Sequence, residues 1–141
     1  MTPKEYLENI RNCDREIDEK QESLDVMWAS IKSIQSSHSD REMIVGGKKV
    51  SFDDRMARYI DYSREIDNSI DNLVDLKMEA IRLIEKIPEE EYRTLLTARY
   101  INTKGWKEVA ESMSYDGRYI YDKHLEALEA FDKVRTKSHS I

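Results

Sequence analysis

The residues best suited to chemistry in this chain lie in "GWKEVAESMSYDGRYIYDKHLEAL", residues 105–128. Here Arg118, Tyr119 and Tyr121 stand just after a short Ser-Tyr-Asp break, at the head of a helical segment. Such groups perform recognition rather than catalysis. A guanidinium donates two parallel hydrogen bonds to a guanine edge, and a tyrosine reaches a phosphate oxygen or a thymine methyl. Lys123, Lys107 and Lys104 add ammonium groups suited to phosphate contacts.

The groups that could work as catalysts lack partners. His124 falls at helical spacing from Ile120 and Leu128, on an apolar face, which makes it a core histidine. His38 and His139 sit in serine-rich stretches with no Cys or His at ligand spacing. Cys13 is the single cysteine, so no intramolecular disulfide exists, and its place on an apolar stripe makes it a buried thiol. The acids of "EKIPEEEY" belong to a helix start. Gly46-Gly47 lacks the longer glycine pattern and Lys-Ser/Thr of a phosphate-gripping loop. The expectation is a protein without catalytic residues, metal ligands or cofactors.

Recognition at a helix start needs elements that hold it. "PEEEYRTLLTARYI" reads as a helix opened by Pro88, with three acids facing its positive end. After the break "NTKG", Trp106, Val109, Ala110 and Met113 share one face of a second helix. Ser114-Tyr115-Asp116 makes the turn, and Asp116 caps a third helix starting at Gly117. That helix buries Ile120, His124, Ala127, Leu128 and Phe131. A helix, a tight turn and a second helix with a bare first turn form a helix-turn-helix, which places the start of its second helix in the DNA major groove. The tail "KVRTKSHSI" carries Lys133, Arg135 and Lys137, either as extra phosphate contacts or as a frayed end.

Two long helices precede this part. Thr2-Pro3-Lys4-Glu5 combines a threonine cap, proline at the first helical position and an acid at the third. Tyr6, Ile10, Cys13, Ile17, Leu24, Met27, Ile31 and Ile34 then follow in steps of three and four, interrupted by Lys20, and the helix fades at Ser36–Ser39. In the connector, Met43-Ile44-Val45 and Lys49-Val50 flank Gly46-Gly47, giving either a flexible turn, the plainer reading, or a short extended pair. Ser51 caps the second helix, whose seam is Met56, Tyr59, Ile66, Ile70, Leu73, Ala80, Ile84 and Ile87. Each helix would run roughly 50 Å. Pairing is required to bury these seams, within one chain or between two.

Composition sets limits. The chain has 141 residues, 39% hydrophobic and 37% charged, with four glycines and two prolines. That suits amphipathic helices. No apolar run is long enough to span a membrane and no signal-like N-terminus is present, so a cytoplasmic location is expected. Net charge is −6, against a general polyanion-coating protein. The acidity lies in the first 87 residues, with fourteen Lys/Arg and nineteen Asp/Glu, whereas from Trp106 onward six face seven.

"RTLLTARYINTKGWKEVAESMSYDGRYIYDKHLEALEAF" resembles the fourth conserved region of the sigma-70 family, which reads the promoter −35 element. Arg99-Tyr100, Trp106-Lys107-Glu108-Val109-Ala110, Met113, Ile120, His124 and Ala127-Leu128 carry the likeness. The chain is similar, closer still, to phage-encoded late-gene regulators of the ArpU and RinA kind. The resemblance covers residues 91–131 well and the long helices in general character. It implies groove-facing positions at Gly117, Arg118, Tyr119, Tyr121 and Asp122. Gly117 and Asp122 depart from the long basic or amide side chains common there, and nothing resembles the other sigma regions, which excludes a full sigma factor.

The expectations are therefore an all-α fold: a long antiparallel coiled-coil-like hairpin, residues 1–87, then a three-helix helix-turn-helix domain, residues 88–141. The expected function is a phage or prophage transcription regulator that binds double-stranded DNA and dimerises through its long helices. Two rivals stand beside it. One is a module that binds RNA polymerase; the other is a DNA-packaging subunit like a small terminase.

Overall fold

The computed structural model describes residues 1–37, 43–45, 48–50 and 52–139, with 34–37, 43–45, 48–50, 138 and 139 described by backbone alone. His38, the Gly46-Gly47 turn and the Ser51 cap lie outside the described residues. The fold is all-α with one small ribbon. Helix α1 spans Pro3–Ser37, strands β1 and β2 span Met43–Val45 and Lys48–Val50, and α2 spans Phe52–Glu85. Then come α3 (Glu90–Leu96), a π-helical turn (Thr97–Ile101), α4 (Trp106–Ser112) and α5 (Gly117–His139).

The start of α1 is fixed as its sequence directs. The Glu5 N–H donates to Thr2 Oγ1 at 3.1 Å, and the Thr2 N–H donates to Glu5 Oε2 at 3.0 Å, a reciprocal capping box. The connector forms the extended pair rather than a plain turn: β1 and β2 are antiparallel, with Met43 opposite Val50 and Val45 opposite Lys48.

The chain divides into two compact units, and the division does not fall at residue 88. One unit is Arg15–Asn72; the other joins Met1–Asp14 to Leu73–Ile141. In the latter, the first turns of α1 and the last of α2 complete the core of the C-terminal helices. Leu7, Ile10, Ile87, Leu95, Leu96, Tyr100, Val109 and Phe131 are all fully buried there. The Tyr6 ring lies 5.7 Å from that of Phe131. Arg135 donates to the carbonyls of Met1 (2.8 Å) and Thr2 (3.5 Å), so it is neither a free phosphate contact nor part of a frayed end. Lys77 on α2 pairs with Asp14 on α1 at 2.7 Å. The physical reason is size: three short helices alone enclose too little apolar surface for an independent core.

In the other unit, Ile17, Leu24 and Ile31 on α1 and Ile66 on α2 are buried, and Trp28 stacks at a tilt on Tyr59, centroids 5.2 Å apart. The seam is narrower than the sequence implies. Residues at sevenfold spacing are buried, while Met27 and Ile70 are exposed and Cys13 is only half-buried. Two helices enclose one line of side chains and leave the flanking line at the rim.

Candidate nucleic-acid interface

The site is assembled by α4, the turn at residues 113–116 and α5. At the end of α4, Ser114 adopts a left-handed conformation (φ 59°). Its N–H donates to the Glu111 carbonyl at 3.2 Å, and the Tyr115 N–H donates to that of Ala110 at 2.9 Å. This pair of bonds is a Schellman motif, with serine where glycine is usual. Asp116 then caps α5, its Oδ1 accepting from the N–H groups of Arg118 (3.0 Å) and Tyr119 (2.8 Å). Gly117 is exposed, and a Cβ there would meet nothing within 4 Å, so openness rather than crowding characterises this position.

From there α5 presents distinct faces. Ile120, His124, Ala127, Leu128 and Phe131 are buried. Arg118, Tyr121 and Asp122 are exposed on the outer side, Tyr121 to 63%. Tyr119 lies on a third side. Its ring meets the Tyr115 ring edge-on at 4.7 Å, and the Lys123 ammonium sits 5.2 Å above it. Tyr119 is still 45% exposed, but its ring position is set by these neighbours.

Lys123 corrects the sequence reading. Its ammonium is paired with Glu91 at 2.9 Å and Glu126 at 3.2 Å, and these two carboxylates raise its pKa. A phosphate would have to displace them, so Lys123 braces α5 against α3 rather than offering a free cation. The carboxylates are tied in turn: Tyr115 donates to Glu91, and Tyr92 donates to Glu126 at 2.9 Å. Both carboxyl pKa values are lowered, for Glu91 by Tyr115 and then Lys123, for Glu126 by Tyr92 and then Lys123. Sequence spacing cannot reveal a network whose hydrogen bonds join residues 24 and 34 positions apart.

Lys107 is exposed on α4 and opens onto a groove of about 710 Å³. Gly117 and Tyr121 form part of its wall, Trp106, Ala110, Ile120 and His124 supply apolar and aromatic surface, and Lys4 reaches it from α1. Lys104 is elsewhere, in a depression with Ile81, Arg93 and Ser112. The structure thus brings Lys107 to the start of α5 and leaves Lys104 apart from it.

Beneath the groove, His124 is 5% exposed and hydrogen-bonded through Nε2 to the Tyr100 hydroxyl at 2.7 Å. Burial, then the Lys4 and Arg99 charges, pushes its pKa down to about 4. The neutral imidazole also meets the Trp106 ring edge-on at 4.5 Å. The Arg99 guanidinium stacks 4.3 Å from the Trp106 ring centre and donates to the Lys104 carbonyl at 3.2 Å. Arg11 donates to the neighbouring Thr103 carbonyl at 3.3 Å. Thr103 has φ 56°, strained for a β-branched residue, and the two arginines hold the loop in that conformation.

A family model matches residues 33–132, well over half of the chain, under the description "protein of unknown function (DUF1492)". The chain belongs to the DUF1492 family. The DUF1492 match begins near the end of α1 and runs to the middle of α5, so it takes in α2, the turn between α4 and α5, and the exposed residues beyond it. No curated protein and no solved structure matches the chain.

Proposed function

We propose that this DUF1492 member is a sequence-specific, DNA-binding transcription regulator of phage or prophage origin, acting in the cytoplasm. One observation carries the reading. The first turns of α5 hold Arg118, Tyr121 and Asp122 exposed on one side, while the buried side and the Lys123 network fix the helix from the other two. A helix so braced and so capped can enter a major groove with its N-terminal side chains at base edges. Arg118 reads guanine, Tyr121 and Lys107 contact the backbone, and Lys104 takes no part in the same contact. The long helices bring two copies together, which the exposed Met27, Trp28 and Ile60 support.

Replacing Arg118 by Ala is expected to cost about 1–3 kcal/mol of binding and to relax preference at one base position. Lys107→Ala is expected to weaken all sequences alike and to flatten the salt dependence by about one ion. Titrations of both variants against the preferred duplex and a scrambled one check this. Wild-type binding by both would refute the docking.

A second reading is favoured by the groove beside α5. Its Trp106, Ala110 and Ile120 surface, rimmed by Lys4, Glu8, Lys107 and Glu111, suits a protein helix better than a polyanion. In that case the chain holds RNA polymerase, and polymerase co-purifies with it after nuclease treatment.

A further inference from the structure

Among its described residues, α5 exposes one large aliphatic side chain. Leu125 is 50% exposed. It lies seven residues after Arg118, four after Tyr121 and three after Asp122, so all four share the outer face of the helix. The other faces are occupied: Ile120, His124, Ala127 and Leu128 are buried, and Tyr119, Lys123 and Glu126 belong to the network with α3.

We infer that Leu125 is a base-reading residue that contacts the 5-methyl group of a thymine in the major groove. The inference rests on the DNA-binding reading above and extends it by one helical turn. Thymine is the base that displays a methyl group in that groove, and apolar side chains read it by contact. The surroundings favour this occupant over a protein surface. Leu125 and Tyr121 are the large hydrophobic side chains exposed on a face shared with Arg118, Asp122 and the exposed Glu129, too small a patch to anchor a hydrophobic interface. Charge points the same way. The N-terminal end of α5 carries the positive end of the helix dipole, with Arg118 upon it and Lys107 beside it, whereas the next side chain on the outer face beyond Leu125 is the carboxylate of Glu129, 4.0 Å from Lys133. The face that suits DNA therefore ends at Leu125.

The register comes from helix geometry. Seven residues advance about 10 Å along α5, close to three base-pair steps, so the thymine lies roughly three base pairs from the guanine read by Arg118.

The test is a cycle between Leu125→Ala and loss of the methyl group. The duplex selected by the full-length protein is resynthesised with each thymine replaced in turn by deoxyuridine, and both proteins are titrated against the set. At one position, about three base pairs from the guanine that Arg118→Ala ceases to prefer, deoxyuridine is expected to weaken the wild type about fourfold and leave Leu125→Ala unchanged. Circular dichroism confirms that the variant is folded, as expected for an exposed site. Equal sensitivity of both proteins at every thymine would overturn the inference, as would wild-type affinity of Leu125→Ala for the selected duplex. An Arg118-dependent motif without this coupling sinks the Leu125 contact alone. Failure to enrich any duplex sinks the DNA reading, and the contact with it.

Discussion

At the scale of single residues, Asp116 and Ser114 show how local chemistry sets the site. Asp116 satisfies two N–H groups at the start of α5, so Asp116→Ala is expected to lower stability by about 1 kcal/mol, seen in the urea midpoint. Ser114 bears a Cβ at a positive φ; Ser114→Gly keeps both Schellman bonds and is expected to raise stability by about 0.5–1 kcal/mol. His124 brings a pH dependence. Its folded-state pKa, about 4, lies below its ordinary value near 6.5, so the unfolded chain takes up a proton first as pH falls. The stability from this group is complete above about pH 6.5 and declines toward pH 4, by at most about 3 kcal/mol. Denaturation midpoints at pH 7 and pH 5 should therefore diverge more in the wild type than in His124→Leu; equal divergence would assign the effect to other groups. The cap, the buried histidine and the exposed Arg118 and Tyr121 were all legible in the sequence, because each depends on neighbours within a few turns. The engagement of Lys123 was not, since Glu91 comes from another helix.

At the scale of elements, helix starts were legible where side chains cap them, as at Thr2 and Asp116. The sequence also predicts one regular helix after Pro88, but residues 97–101 form a π-helical turn. There the Asn102 N–H reaches the Thr97 carbonyl at 2.9 Å, and the Lys104 N–H that of Ala98 at 3.0 Å. No residue type announces such a turn. Tertiary contacts settle it: Arg99 must stack on Trp106 while Tyr100 reaches His124. The bracing of α5 by α3 has a testable consequence. Lys123→Met removes the cation between Glu91 and Glu126, leaving two carboxylates without it. Hydrogen exchange in the first turns of α5 is then expected to accelerate relative to the wild type while the amides around Leu95 stay protected. Unchanged exchange in α5 would remove Lys123 from its positioning role.

At the scale of the whole molecule, the all-α class followed from composition and periodicity, whereas the division into units did not. Seam spacing shows that a helix needs a partner without saying how far along its length each partner extends. Leu7, outside the expected seam of α1, proves fully buried in the unit that holds the C-terminal helices. The consequence is that residues 88–141 alone lack part of their core. That fragment is expected to melt at a lower temperature and less cooperatively than the full chain, and a fragment as stable as the whole would contradict the division. The net charge of −6 adds that any DNA binding must rest on local cations, and its salt dependence counts how many of them meet phosphate. The most direct test is selection of bound duplexes from a random library by the full-length protein, at moderate salt with competitor DNA. The DNA-reading account requires one enriched motif that Arg118→Ala fails to enrich. A folded protein that enriches nothing, or an Arg118→Ala variant that enriches the same motif, would contradict it.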